Sequence, residues 1–297
     1  MNSSGLALRI TVMLLFLGLT ATSYAQRTDT YNLDETYIID RNGTIELHTD
    51  DAGLVEINGS DRSDVRVIVT YRREVRGVRV GKLDKFAMDV TERNGNLIIR
   101  ENYEDRGTIN LNIGSVNRKY TVTILAPETV NLELYGDDDT YEISDMNGNI
   151  RMETDDSDIS LRDCNGEEFN FEFDDGSLIM NNGHGRLTMS YDDGEADIRG
   201  SQFSNIDVEM EDGDFNLSTT LADNGRYAIT ADDGDIDLTI LGGGGNFRIE
   251  HDDVRVSADS DFQQRGRNEN FTEYRLPGGN ARVDIETDDG DVRLFIR

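Results

Sequence analysis

The sequence of 297 residues contains one cysteine, two prolines, no tryptophan and only three lysines. Because Cys164 is the only cysteine, an intrachain disulfide is excluded and the fold must be held by packing and backbone hydrogen bonds. Beyond residue 25 there is no apolar run of roughly 20 residues, the length that a membrane-spanning helix needs. The second half also lacks the i, i+3, i+4, i+7 spacing of an amphipathic helix. These absences predict a non-helical chain with no transmembrane segment in its mature form.

Residues 1–25 have the pattern of a secretory signal peptide. Arg9 supplies the positive charge, residues 10–19 form a short apolar stretch, and Ser23-Tyr24-Ala25 fits a small-x-small cleavage site. We therefore expect a mature chain that starts near Gln26 and is exported to the periplasm, the outer surface or the extracellular space.

Negative charge is plentiful and unevenly distributed. The formal net charge is -31; residues 26–130 hold 18 acids and 15 bases, whereas residues 131–297 hold 42 acids and 13 bases. Such a surface repels nucleic acid and anionic lipid, so we predict neither as a partner. Aspartate outnumbers glutamate and lysine is scarce, a composition that adaptation to high salt would also explain, because salt screens like charges.

An acidic pair recurs through the second half at a nearly constant interval. The pairs are Asp137-Asp138, Asp155-Asp156, Asp174-Asp175, Asp192-Asp193, Glu211-Asp212, Asp232-Asp233, Asp252-Asp253 and Asp288-Asp289. Successive pairs lie 18 to 21 residues apart, except that the last interval is 36. A fixed period of about 19 residues is the signature of a stacked repeat architecture.

Apolar residues alternate on both sides of each pair. Ile150 and Met152 precede the pair at 155–156, and Ile159 and Leu161 follow it. A spacing of two places one face of each strand in the core and the other in water. The sequence thus predicts an all-β, single-sheeted β-solenoid-like stack of strand–turn–strand repeats. Residues 26–130 are expected to form an irregular β cap, continuous with the acidic repeat region 131–297.

Residues 120–152 carry a resemblance to a known family. They read Tyr-Thr-Val-Thr-Ile-Leu-Ala-Pro-Glu, then Val-Asn-Leu-Glu-Leu-Tyr, then a repeat ending Gly-Asn-Ile-Arg-Met. This text resembles the bacterial "putative adhesin" repeat family of unknown function, and the resemblance spans about residues 36 to 297. It implies a β-solenoid-like protein at the cell envelope. The family pattern contains no catalytic residues, so the resemblance assigns none to this chain. The chain departs from the family pattern in having Asp-Asp at its turns.

The acidic turns are candidate cation ligands. Turns stacked in register would place neighbouring pairs about 4.8 Å apart, where two unit charges repel by about 0.9 kcal/mol in water. Calcium prefers carboxylate and carbonyl oxygens, although no EF-hand loop is present. Calcium binding and solvated turns neutralised by salt both remain open, and no other cofactor is expected. The candidate ligands are Asp155, Asp156, Asp174, Asp175, Asp192, Asp193, Asp232 and Asp233.

Residues 257–281 interrupt the repeat and form a candidate contact site. This stretch is less acidic and more aromatic than its surroundings, and long loops on rigid scaffolds often bind partners. The residues expected to contact a partner are Arg265, Arg267, Phe271 and Tyr274. The expected partner is an unidentified protein or polysaccharide at the cell surface.

Nothing in the sequence marks a catalytic site. His48, His184 and His251 are dispersed, and the acidic pairs have near-identical surroundings, so none is distinguished as acid or base. We therefore predict a non-enzymatic structural or binding module, adhesin-like and exported. A divalent-cation-binding repeat protein is the alternative, and a polysaccharide-active β-helix enzyme is the less favoured one.

Overall fold

The computed structural model describes residues 27–80, 85–104, 111–252 and 254–297, and these residues form strands, turns and loops without a helix. The predicted signal peptide at 1–25 lies outside the described residues. Within them, no helix is long and apolar enough to cross a membrane. The all-β prediction is confirmed.

The described residues form 22 strands. Their bounds are β1 Arg27–Ile38, β2 Thr44–His48, β3 Leu54–Ser60, β4 Asp64–Val80, β5 Lys85–Arg93, β6 Asn96–Glu104, β7 Leu111–Pro127, β8 Asn131–Tyr135, β9 Thr140–Ser144, β10 Ile150–Thr154, β11 Ser157–Arg162, β12 Glu168–Phe173, β13 Gly176–Asn181, β14 His184–Thr220, β15 Arg226–Ala231, β16 Ile236–Gly242, β17 Gly245–His251, β18 Arg255–Ala258, β19 Gln263–Arg267, β20 Phe271–Leu276, β21 Ala281–Thr287 and β22 Asp291–Ile296.

The strands form one hydrogen-bonded sheet that is folded into two ladders. The strand before each acidic turn joins ladder 1, which runs β5, β6, β2, β8, β10, β12, β14, β15, β21, β17, β20, β19. The strand after the turn joins ladder 2, which runs β1, β4, β7, β3, β9, β11, β13, β14, β16, β22, β18. Strands of successive coils pair parallel and in register, with Ile150 between Leu132 and Phe169. The β-solenoid-like stack is thereby confirmed.

The core lies between the two ladders. Inward side chains from both, such as Met152 of β10 and Leu161 of β11, are fully buried in one continuous cluster. Outward neighbours on the same strands are exposed, which is the period-two pattern seen in the sequence. Cys164 is buried beside this core, and burial raises the pKa of its thiol to about 11.

The coils do not stack in the order of the sequence at either end. The coil of β2 and β3 lies between the coil of β6 and β7 and that of β8 and β9. At the other end, the coil of β21 and β22 is inserted between the coil of β15 and β16 and that of β17 and β18. The 36-residue interval between the last two acidic pairs therefore does not mark a missing unit. It marks a chain that passes to the end of the stack and returns.

Hairpins close both ends of the stack. At the N-terminal end, Tyr31 of β1 and Tyr71 of β4 pack on Phe86 of β5. Their ring centroids lie 5.4 Å and 4.1 Å, respectively, from that of Phe86. At the C-terminal end, the hairpin of β19 and β20 extends ladder 1 antiparallel, and Phe262 packs against Phe247. These aromatic contacts keep water from the last layer of the core, as solenoid ends require.

A column of glycines occupies five of the acidic turns, at Gly176, Gly194, Gly213, Gly234 and Gly290. A Cβ on Gly234 would lie 1.8 Å from the carbonyl oxygen of Gly213, and one on Gly290 would lie 2.0 Å from that of Gly234. Gly213, Gly234 and Gly290 also have φ values of 136°, 125° and 100°, a region that side-chain-bearing residues rarely adopt. Glycine is therefore required here both by backbone conformation and by the approach of the next coil.

We expect Gly234→Ala to lower the free energy of unfolding by about 3 kcal/mol, because it adds a left-handed backbone penalty to a steric clash. Chemical denaturation of the mature chain measures this. Gly242→Ala is the matched control, since its Cβ would lie 3.4 Å from the nearest atom. Equal stability of the two variants would show that the coils do not approach this closely.

Candidate functional site

The acidic pairs form a continuous ridge along one edge of the stack. We call the pairs at 137–138, 155–156, 174–175, 192–193, 211–212, 232–233 and 288–289 the acidic ridge; Asp252 follows it, and Asp253 lies outside the described residues. Backbone hydrogen bonds join successive turns: the Asp233 amide donates to the Glu211 carbonyl at 2.8 Å, and that of Asp289 to the Asp232 carbonyl at 3.1 Å. The ridge thus follows the spatial order of the coils and not the order of the sequence.

Carboxylates on the ridge raise one another's pKa values. A hydrogen bond to the Asp155 carboxyl, followed by partial desolvation and the charges of its neighbours, raises the pKa of Asp174. Desolvation and nearby carboxylates, among them Asp289, raise that of Asp233. The pKa values of Asp156 and Asp137 are raised for the same reasons. Like charges in adjacent coils therefore oppose ionisation, as the repeat spacing predicted.

The candidate calcium ligands are brought together on this ridge in successive turns. Asp155 neighbours Asp174, whereas Asp233 neighbours Asp212 and Asp289. Among the described residues, no group of three or more His, Cys, Asp or Glu side chains is arranged to hold a metal ion. The calcium hypothesis is not tested by this geometry and stays a prediction.

A buried aspartate stands next to the ridge, and its role was not anticipated from the sequence. Asp139 accepts hydrogen bonds from the Thr49 hydroxyl at 2.6 Å, the Tyr141 hydroxyl at 3.0 Å and the Ala52 amide. Burial nevertheless raises the pKa of Asp139, because it outweighs these three bonds. The residue ties the coil of β2 and β3 to that of β8 and β9. The only sequence signal was the third aspartate in Asp137-Asp138-Asp139.

A second titratable group lies where the ridge meets the N-terminal cap. The Glu101 carboxylate accepts a hydrogen bond from the Asp50 amide at 3.2 Å, while its other oxygen is buried with no partner in the described part of the chain. Burial among Tyr103 and Tyr120, together with the Asp50 charge, raises its pKa to about 7. The Asp50 amide, which donates to Glu101, and the two nearby tyrosine hydroxyls only partly oppose this rise.

The predicted contact residues lie on the hairpin of β19 and β20, but they face different ways. Arg265 and Arg267 are on the outermost strand of ladder 1, in a segment that is almost wholly exposed. Phe271 is partly buried under the Arg248 guanidinium, 4.8 Å from the ring centroid. Tyr274 is 8% exposed and packs on Phe262, so it seals the core end instead of facing a partner. Alternation along β20 places it inward.

The three histidines occupy separate environments. His48 lies on the outer face of ladder 1, 2.7 Å from Glu46 and stacked on Tyr135. His251 is buried, with its Nε2 atom 3.0 Å from the Thr272 hydroxyl. His184 is exposed at the start of β14. Their separation agrees with the sequence-based expectation that they do not form one site.

Comparison with known proteins gives a family match. The model of the family described as Toastrack DUF4097 matches residues 54–294. No curated protein matches the chain. The match covers more than half of the chain and includes the acidic ridge.

Several solved bacterial structures are similar to the chain. One from Parabacteroides distasonis and one from Parabacteroides merdae, each described as a "putative adhesin", have TM-scores of 0.42 with 9% and 10% identity. The first covers 91% of this chain and 98% of its own, and the second 90% and 96%. One from Bacteroides fragilis with the same description has a TM-score of 0.33, 10% identity and coverage of 91% and 98%.

We expect the stability of the chain to rise gradually with NaCl, because screening relieves repulsion along the acidic ridge. Thermal unfolding of the mature chain at increasing NaCl, and at CaCl₂ of matched ionic strength, measures this. We expect no additional stabilisation by calcium. A midpoint that saturates at micromolar to millimolar calcium would instead establish specific ion sites on the ridge.

We expect Glu101→Gln to raise the free energy of unfolding at pH 8 by about 1–2 kcal/mol, a value discounted for partial solvent screening, and to have little effect at pH 4. The folded-state pKa lies above the ordinary value of 4.5, so the folded chain holds this proton more tightly. The stability that the proton contributes is complete below pH 4.5 and is lost as pH rises through about 7. Denaturation of both proteins across this range tests the sign.

The exposed Glu172, changed to glutamine, is the matched control for Glu101→Gln. An equal effect of Glu101→Gln at both pH values, or destabilisation at pH 8, would contradict the raised pKa of Glu101.

Proposed function

The chain belongs to the Toastrack DUF4097 family, and on that premise we propose that it is an exported, non-enzymatic binding module of the bacterial cell envelope with an adhesin-like role. The observation that carries the proposal is the rigid two-ladder stack, whose outer faces are rows of polar side chains held in register. Such a scaffold fixes many surface groups relative to one another without conformational change.

The signal pattern supports a role outside the cytoplasm, and the charge distribution limits the partners. The acidic ridge repels polyanions at low and moderate salt, which favours neutral or cationic partners. The signal pattern in residues 1–25 supports export. The arginine-bearing hairpin of β19 and β20 and the outer faces of the ladders are the surfaces available for contact.

Deleting the gene in the source bacterium tests the role. We expect cells without it to attach less to their surface or host material, and we expect the full chain, but not a chain lacking residues 1–25, to restore attachment. Cell fractionation with an epitope-tagged chain measures export in the same strains. A chain retained in the cytoplasm, or unchanged attachment in the deletion strain, would overturn the proposal.

A further inference from the structure

A polar groove crosses the outer face of ladder 1 near its N-terminal end. Two adjacent clefts of about 270 and 310 Å³ share Thr44 and Glu133, so together they form one depression over β6, β2, β8, β10 and β12. Five strands at a spacing of about 4.8 Å give it a length of roughly 19 Å. These dimensions fit an extended polymer better than a single small molecule.

One wall of the groove is a row of asparagines with fixed orientation. The Asn96 side-chain oxygen accepts the Thr44 amide at 3.0 Å, and that of Asn131 accepts the Asn149 amide at 2.9 Å. The oxygen of Asn149 accepts the amides of Glu167 and Glu168, both at 3.1 Å. The side-chain oxygens of Asn96 and Asn149 are thus engaged, whereas their amino groups have no hydrogen-bond partner among the described residues and can donate to a ligand. The wall therefore presents fixed hydrogen-bond donors.

The other wall carries charges that largely cancel. In register along it lie Glu46, Glu133, Arg151 and Asn170. Glu46 pairs with Arg100, and Arg151 lies 3.5 Å from the Glu153 carboxylate. Glu133 has no ion pair or hydrogen bond in the part of the chain that the structure describes, so its carboxylate is free to accept hydrogen bonds from a ligand.

We propose that this groove binds a neutral polysaccharide. The asparagine amino groups would donate to sugar oxygens, and the Glu133 carboxylate would accept from sugar hydroxyls. The Asn170 amide could both donate to and accept from them. A neutral polymer avoids the repulsion that the net charge of -31 imposes on an anionic one. A cationic polymer would instead be attracted to the acidic ridge. This inference rests on the proposed binding function and names its partner class.

Affinity electrophoresis of the folded mature chain through gels containing dextran, mannan, laminarin or hydroxyethyl cellulose tests the proposal. We expect at least one polymer to retard the protein, with a dissociation constant that changes less than about two-fold up to about 0.5 M NaCl, because no net ligand charge is involved. Glu133→Gln and Asn170→Ala should each weaken binding about ten-fold, which corresponds to one or two lost hydrogen bonds.

Two variants serve as controls, with folding checked by thermal midpoint. Glu142→Gln changes an exposed glutamate of the same coil on the opposite ladder, and Asp223→Asn changes an exposed aspartate in the turn before β15. Both should bind as the unsubstituted chain does. No retardation by any of the four polymers, normal binding by both groove variants, or loss of binding by Glu142→Gln or Asp223→Asn would overturn the assignment.

The source bacterium separates failure of this assignment from failure of the proposed function. We expect a strain carrying Glu133→Gln to attach poorly, as the deletion strain does. Normal attachment by that strain, together with loss of attachment on deletion, would refute the assignment of the groove as the binding site. The proposed binding role of the chain would then still stand.

Discussion

The close approach of backbones at the acidic turns is the constraint on which the rest of the fold depends. Each coil must reverse direction directly over the turn of its neighbour, and a Cβ on most of the turn glycines would lie within 2.7 Å of a carbonyl oxygen in the adjacent coil. Only glycine satisfies this at Gly176, Gly213, Gly234 and Gly290, where φ is also positive. Once the turns are stacked, the register of both ladders follows, and the alternating apolar residues meet in one core. The chain therefore combines parallel pairing with short connections, which ordinary parallel sheets cannot do.

The same constraint aligns the carboxylates that flank each glycine. Stacking similar acidic turns both desolvates their carboxylates and brings them close together, and the pKa values of Asp137, Asp156, Asp174 and Asp233 are raised as a result. The ridge holds 14 of the 42 acids in residues 131–297. Several acids on the outer faces are instead paired with arginine, as in the Arg293 pair with Asp237 at 2.9 Å. The outer faces thus differ from the ridge in carrying arginines beside their acids.

The fold class was predictable because the period of about 19 residues and the spacing of two are both local properties of the sequence. The inward positions of Ile150, Met152, Ile159 and Leu161 follow from alternation alone, and all four are buried. The order of the coils was not predictable, since the repeats share one alternating pattern and that pattern does not specify which repeats become neighbours. Asp139 and Glu101 were missed for a related reason: their burial depends on which distant coil covers them. Tyr274 was expected to face a partner, but the hairpin pairs antiparallel with β17 and alternation places its ring inward.

The inserted coil of β21 and β22 has a consequence for the route by which the chain reaches its native state. A chain made N-terminus first presents residues 245–258 before residues 281–296, yet the later segment must lie beneath the earlier one. Until it arrives, β15, β16, β17 and β18 each lack one neighbour that they pair with in the finished stack. The C-terminal end is thus completed only after the last strands have been made, and a chain that stops before β21 would leave open strand edges for proteases to recognise.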